Sequence, residues 1–255
     1  MEHSKKNLHY FISDVHLGLK SFNPRERERL FASFLNSLPT ETDSIYFLGD
    51  IFDFWYEYKF VIPKGFTRTL GAMASLVDRG VKLYFIRGNH DLWLYNFLQE
   101  EVGVELLEEM TIVKIGRREF CLAHGDELTN NRSHLFLKKI FKNRVLQRLF
   151  SALHPRWAFA IASKWSNHNR LSRGIKGNFE EMSRTMVERA SLFERQNGVD
   201  YFIFGHLHAP GSTTTPKGGE LFVLGEWIEG CQYLVYNSYQ DKIEWKRGDA
   251  ACMPN

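Results

Sequence analysis

Seven residues of this chain carry side chains of the kind that hold divalent cations, and each follows an apolar run. Asp14 and His16 come after Tyr10-Phe11-Ile12-Ser13, and Asp50 after Tyr46-Phe47-Leu48-Gly49. Asn89 comes after Leu83-Tyr84-Phe85-Ile86, and His124 after Phe120-Cys121-Leu122-Ala123. His206 and His208 come after Tyr201-Phe202-Ile203-Phe204-Gly205. Two carboxylates, one amide oxygen and four imidazoles, with no thiolate, suit Mn²⁺, Fe²⁺ or Zn²⁺ rather than an iron–sulfur cluster or Cu(I). Seven ligands exceed the needs of one tetrahedral ion. They suit two ions sharing one carboxylate, with positions open for water and substrate. Such a pair, about 3.5–4 Å apart, can activate water and neutralise charge on a phosphoryl oxygen. Each residue taken singly has a structural account as well: an Asp after a strand is a turn residue or helix cap, and a His in Gly-His-Leu-His fills a surface or a core. Five strand ends of one chemical kind in one chain are hard to produce by structural need alone.

Each apolar run reads as a buried strand, and the polar residue at its carboxyl end lies where open α/β sheets place their active sites. Strands at 9–13, 45–48 and 82–86 alternate with helices at 24–38 and 67–78, which implies parallel pairing with right-handed crossovers. The first helix opens on Pro24, with Leu30, Phe31, Phe34, Leu35 and Leu38 inward and Arg25, Glu26, Arg27, Glu28 and Arg29 outward. The second stops at Arg79-Gly80, a positive residue before a C-cap glycine. Residues 1–7 read as a loose tail, 54–66 as an aromatic loop and 92–101 as a short helix. Gly116-Arg117-Arg118 joins strands 111–115 and 119–123 as a hairpin. A helix over 179–196 and strands at 221–224, 231–236 and 242–245 close the chain. The expected organisation is a single domain, 1–255, with an insertion at about 128–178.

Three scattered cysteines, Cys121, Cys231 and Cys252, give no disulfide framework or zinc knuckle. The polar first residues carry no secretory signal, and no apolar run approaches the about 20 residues that span a bilayer. A cytoplasmic protein is expected. The net charge of +3 hides an asymmetry: residues 128–179 hold eleven Lys or Arg and no Asp or Glu. The insertion therefore meets something anionic, or simply solvates a basic face. Within it, residues 135–153 have the spacing of a basic amphipathic helix, broken at His154-Pro155 and resumed over 156–164.

Asp14-Val15-His16, Gly49-Asp50-Ile51-Phe52-Asp53, Gly88-Asn89-His90-Asp91, His124-Gly125-Asp126 and Gly205-His206-Leu207-His208 resemble, in order, the five blocks of the calcineurin-like metallophosphoesterases. The resemblance implies a four-layer α/β/β/α sandwich with a dinuclear centre at the strand ends. Asp14, His16, Asp50 and His208 would hold one ion and Asp50, Asn89, His124 and His206 the other, with Mn²⁺ the expected metal. His90 would donate to the phosphate or to the leaving oxygen. Asp53, three residues after the bridging Asp50, would orient His90 and favour its charged form, or else cap the following turn.

The basic insertion has three readings: a packed helical subdomain, a nucleic-acid surface, or a seat on anionic lipid headgroups. Phe136, Phe150, Trp157 and Phe159 are more apolar than phosphate binding needs, which disfavours nucleic acid and favours a lid admitting acyl chains. Such a lid between the fourth and fifth blocks is similar to that of the UDP-2,3-diacylglucosamine diphosphatases of lipid A synthesis. Ser163-Lys164-Trp165-Ser166-Asn167-His168-Asn169-Arg170 resembles that family's Ser-Lys-x-x-Asn-x-x-Lys, and Leu224-Gly225-Glu226-Trp227 its Leu-Gly-x-Trp. The resemblance implies hydrolysis of a nucleotide-sugar lipid to UMP and 2,3-diacylglucosamine 1-phosphate. It also implies substrate contacts from Asn89, His90, Ser163, Asn167, Arg170 and His206, and a place on the cytoplasmic face of the inner membrane. The chain departs from the pattern at His90, where the family carries Arg, and at Arg170, where Lys is usual and the donor geometry differs. Another phosphodiesterase or nuclease of the superfamily, or a non-catalytic scaffold docking anionic partners, are the alternatives.

Overall fold

The computed structural model describes residues 6–20, 23–128, 139–158, 179–228 and 230–248. The first half runs β1 (Leu8–Ile12), α1 (Pro24–Ser37), β2 (Thr42–Leu48), α2 (Thr67–Asp78), β3 (Lys82–Ile86), β4 (Glu105–Leu106), β5 (Met110–Ile115) and β6 (Arg118–Ala123). The second runs α3 (Arg144–Ser151), α4 (Phe179–Asn197), β7 (Tyr201–Phe204), β8 (Gly211–Thr214), β9 (Glu220–Val223), β10 (Gln232–Asn237) and β11 (Lys242–Arg247). One sheet has the order β11-β10-β1-β2-β3-β4, with β1 to β4 parallel and β10 antiparallel to β1. The other has the order β5-β6-β7-β9-β8, with β6, β7 and β9 parallel.

Alternation along the strands sets the layers. Phe11, Tyr46, Leu48 and Ile86 of the first sheet meet Phe120, Leu122, Ile203 and Phe222 of the second in a core between the sheets. The opposite side chains of the first sheet, among them Ile12, Phe47 and Phe85, pack against Phe31 and Leu35 of α1 and Met73 and Leu76 of α2. Phe202, Phe204 and Val223 turn outward from the second sheet onto Met186 and Ala190 of α4. Each such large apolar side chain contributes about 1.5–3 kcal/mol on burial. The layers are therefore α/β/β/α, as the resemblance implied. The carboxyl ends of β1, β2, β3, β6 and β7 come to one edge.

Several local expectations need correction. Arg27 and Glu28 of α1 are buried, not outward. The Glu28 carboxylate accepts from the N–H groups of Arg68 (2.7 Å) and Thr69 (3.1 Å), so it caps α2 from another helix. Phe66, at the cap position itself, offers no side-chain oxygen. Removing this cap in Glu28→Ala is expected to lower stability by about 1–2 kcal/mol, read from the midpoint of denaturant unfolding; an unchanged midpoint would refute the capping role. At the other end of α2, Lys6 donates to the carbonyls of Arg79 and Gly80, so the tail is tied down by its sixth residue. The helix expected over 92–101 shrinks to one π-type turn, Leu98–Val102, because Glu57 takes the N–H groups of Asn96 and Phe97. Asn143 interrupts the helix expected over 135–153: its side chain accepts from the N–H groups of Val145 and Leu146 and starts α3 anew. Residues 129–138 and 159–178 of the expected insertion, with Ser163, Asn167 and Arg170 among them, lie outside the described residues.

Candidate metal centre

The loops after β1 and β2 run side by side, with Asp14 N–H donating to the Gly49 carbonyl (3.1 Å) and His16 N–H to that of Asp50 (2.9 Å). Gly49 and Gly88 let the remaining loops close in. A Cβ on Gly49 would sit 2.6 Å from His124 Nδ1, and one on Gly88 would sit 2.5 Å from the Asp50 nitrogen. Asp91 holds the two loops together: its carboxylate accepts from the N–H groups of Gly88 (2.7 Å), Ile51 (2.9 Å) and Phe52 (3.3 Å). Asp14, His16, Asp50, His206 and His208 all adopt positive φ, between 50° and 70°. Side chains other than glycine pay about 1–2 kcal/mol for that region, and such strain gathers at functional sites.

The side chains converge. Asp50 Oδ1 accepts from His90 N–H (2.8 Å), which leaves Oδ2 facing His124 Nε2 at 3.5 Å and the Nε2 atoms of His16 and His90 at 4.0 Å. Asp14 Oδ2 accepts from His206 N–H (3.0 Å), while Oδ1 faces His208 Nε2 at 3.2 Å and His16 Nε2 at 3.8 Å. Asn89 Oδ1 lies 3.3 Å from His124 Nε2, and the rings of His124 and His206 stand edge to face at 5.1 Å. All seven residues expected as ligands thus gather at one edge, with His208 and Asn89 half-buried and the others buried. Distance alone also groups His90 with His16 and Asp50.

The electrostatics favour a cation. Burial opposes the charge of Asp14 and Asp50, but the imidazoles of His208 and His124 outweigh it and hold both carboxyls below the usual range. Burial pushes His16 down to about 4, so its ring is uncharged at neutral pH, as a metal ligand would need. His124 donates from Nδ1 to the Leu48 carbonyl (2.9 Å), which fixes its tautomer and turns Nε2 inward. Burial disfavours a charge on His124, yet the Asp50 carboxylate beside it overrides burial and raises its pKa. Asp14 Oδ1 is buried and faces the imidazole nitrogens of His208 and His16, as a carboxylate oxygen at a metal site would. Oxygen and imidazole donors of this kind fit a divalent transition ion.

His90 donates from Nδ1 to the main-chain oxygen of Asp53 (2.9 Å), with the Asp53 carboxylate 3.8 Å away. That carboxylate stands 3.6 Å from His16 Nδ1 and so lies between the two rings.

A family model of the calcineurin-like phosphoesterases matches residues 10–210. The chain belongs to that family. Among curated relatives of this phosphoesterase, the UDP-2,3-diacylglucosamine hydrolase of Porphyromonas gingivalis is 36% identical over 89% of this chain and 93% of its own. The protein of the same name from Hamiltonella defensa is 32% identical over 78% and 76%. That from Yersinia enterocolitica is 30% identical over 92% and 96%.

Two residues of the phosphoesterase site escaped the sequence reading. Asp91 was visible only as the end of a block, because nothing in its type says that it accepts three main-chain N–H groups. Buried Arg27, whose guanidinium reaches the His16 carbonyl at 3.4 Å, was hidden by the run of charges around it.

Proposed function

We propose that this chain hydrolyses the diphosphate of UDP-2,3-diacylglucosamine to UMP and 2,3-diacylglucosamine 1-phosphate, in lipid A biosynthesis. The observation that carries the reading is Asp50 Oδ2 at the centre of three imidazole nitrogens, on the strand edge of a chain whose near-full-length relatives bear that hydrolase name. Asp14, His16, Asp50 and His208 would hold one divalent ion, and Asp50, Asn89, His124 and His206 a second, with Mn²⁺ the metal we assign. When bound, such a pair lowers the pKa of water toward neutrality and draws charge from phosphoryl oxygens.

The chain's own groups orient and transfer protons. Water adds to one phosphorus, the bond from that phosphorus to the bridging oxygen breaks, and the leaving oxygen takes up a proton. His90, steadied at Nδ1 by the Asp53 carbonyl, turns Nε2 inward to donate to a phosphoryl or leaving oxygen. His90→Ala is expected to lower kcat about a hundredfold with bound metal unchanged, checked by steady-state kinetics beside metal analysis. Asp53→Asn keeps the main-chain acceptor and is expected to cost less. If His90→Ala turns over at the wild-type rate under saturating metal, the donor role is wrong.

On the same reading Ser163, Asn167 and Arg170 join Asn89, His90 and His206 in contacting substrate. The enzyme would rest on the anionic cytoplasmic face of the inner membrane. Val145, Leu149 and Trp157 are 63%, 63% and 64% exposed beside Arg144, Arg148 and Arg156, which suits an interface of lipid headgroups. Among the described residues, no helix is long and apolar enough to cross a membrane.

The deciding experiment incubates the purified chain and Mn²⁺ with UDP-2,3-diacylglucosamine beside a generic phosphodiester. Release of UMP with strong preference for the lipid is expected. Equal rates would remove the lipid substrate and leave the phosphoesterase family.

A further inference from the structure

The loop over residues 54–66 leaves the centre at Asp53, and its root is fixed. The Trp55 main-chain N–H donates to the His90 carbonyl (3.3 Å), Tyr56 donates its hydroxyl to the Gln147 carbonyl (3.0 Å), and both rings are buried. Tyr58 N–H closes the tip by donating to the Val61 carbonyl (3.0 Å). At that tip Phe60 is 86% exposed, the most of any large apolar side chain among the described residues, and Val61 beside it is 54% exposed. A phenyl ring and a valine held out together in water by a buried base make an apolar tip that another surface can cover. The chain shows what kind of cover: residues 58–77 contain Lys59, Lys64 and Arg68 and no Asp or Glu. Lys59 Nζ stands 5.0 Å from the Phe60 ring centroid, so cation and apolar tip form one feature. The loop also abuts α3, because the Tyr56 and Phe150 rings lie 5.0 Å apart.

We propose that Phe60 and Val61 insert into the interface of an anionic bilayer, with Lys59 and Lys64 on headgroup phosphates, as a docking point that adjoins α3. This rests on the proposed diacylated substrate, since a docked tip sets the mouth of the metal centre against the membrane that holds such a lipid. An apolar pair flanked by lysines is what an interface with apolar interior and negative surface takes up.

The test uses the full chain and vesicles of equal parts phosphatidylglycerol and phosphatidylcholine, without substrate. Phe60→Ser with Val61→Ser is expected to lower vesicle partitioning about tenfold. Lys59→Gln with Lys64→Gln is expected to weaken the preference for anionic over pure phosphatidylcholine vesicles about tenfold, the basic insertion keeping the remainder. An environment-sensitive dye on Val61→Cys, in a Cys252→Ser background, should shift to the blue on the anionic vesicles. Undiminished partitioning of the serine variant, or an unshifted dye, overturns the proposal; a tip meant for a protein partner gives that outcome. Hydrolysis of detergent-solubilised UDP-2,3-diacylglucosamine reports separately on the substrate. Turnover by wild type and serine variant alike, with no loss of vesicle binding, sinks the docking tip alone. Loss of vesicle binding in a chain that never cleaves this lipid sinks the substrate reading and leaves the tip in place.

Discussion

Asp50→Ala is expected to lower kcat on UDP-2,3-diacylglucosamine about a thousandfold at saturating Mn²⁺ and to weaken metal binding, measured by titration calorimetry. The reason lies in how one carboxylate is divided. Oδ1 is taken by the His90 N–H at 2.8 Å, and Oδ2 is the oxygen that three imidazoles face within 4.0 Å. Deleting it removes the proposed shared ligand of both ions. It also leaves His124 without the charge that raises its pKa, against the burial that lowers it. Metal-borne charge stabilisation in phosphoryl chemistry is worth several kcal/mol, and about 4 kcal/mol corresponds to about a thousandfold in rate. Asp50→Asn separates the two functions of the side chain. It keeps an oxygen for the His90 N–H, so the loop should stay in place, yet it loses the charge and should remain nearly as slow. A kcat within tenfold of wild type in either variant would take Asp50 out of the reaction.

How far this centre can be read from the chain depends on which force places each residue. The strand ends were legible because burial on both faces demands unbroken apolar runs, and the polar residue after each run stands out against them. The three long parallel strands of the first sheet fall within a few residues of their expected places for the same reason. β8, Gly211–Thr214, was missed because only its partnership with β9 makes Gly-Ser-Thr-Thr a strand. Glu28 reads as outward by type and nothing in the chain singles out Glu57, whereas each is drawn inward by N–H groups remote in the chain. Periodicity records apolar burial, and it is silent about a carboxylate buried to satisfy a main chain. The positive φ of Asp14, His16, Asp50, His206 and His208 was equally hidden, since no residue type but glycine announces it. That backbone strain and the convergence of these side chains coincide at the same positions, which points to a site kept against local preference.

Asp91→Ala is expected to lower global stability by about 3–5 kcal/mol, read by denaturant unfolding of the metal-free chain. Asp91 is fully buried, and its carboxylate is pushed up to about 7 by burial and by the neighbouring Asp50. The N–H groups of Gly88 and Phe52 oppose that shift in part, and with that of Ile51 they converge on this one carboxylate. Without the side chain they face a cavity, and each unmet buried donor costs about 1–3 kcal/mol. The loss also reaches the centre, because Gly88 approaches Asp50 so closely that neither loop can relax without moving the other. Metal affinity should therefore fall in the fraction that still folds, by about ten- to a hundredfold, as for other residues that hold metal ligands in place. Stability separates Asp91 from Asp50: both variants bind metal weakly, but the Asp91 variant unfolds early, whereas the Asp50 variant folds and fails to turn over. An Asp91→Ala chain with wild-type unfolding and wild-type metal affinity would mean that the two loops are held together by something other than this carboxylate.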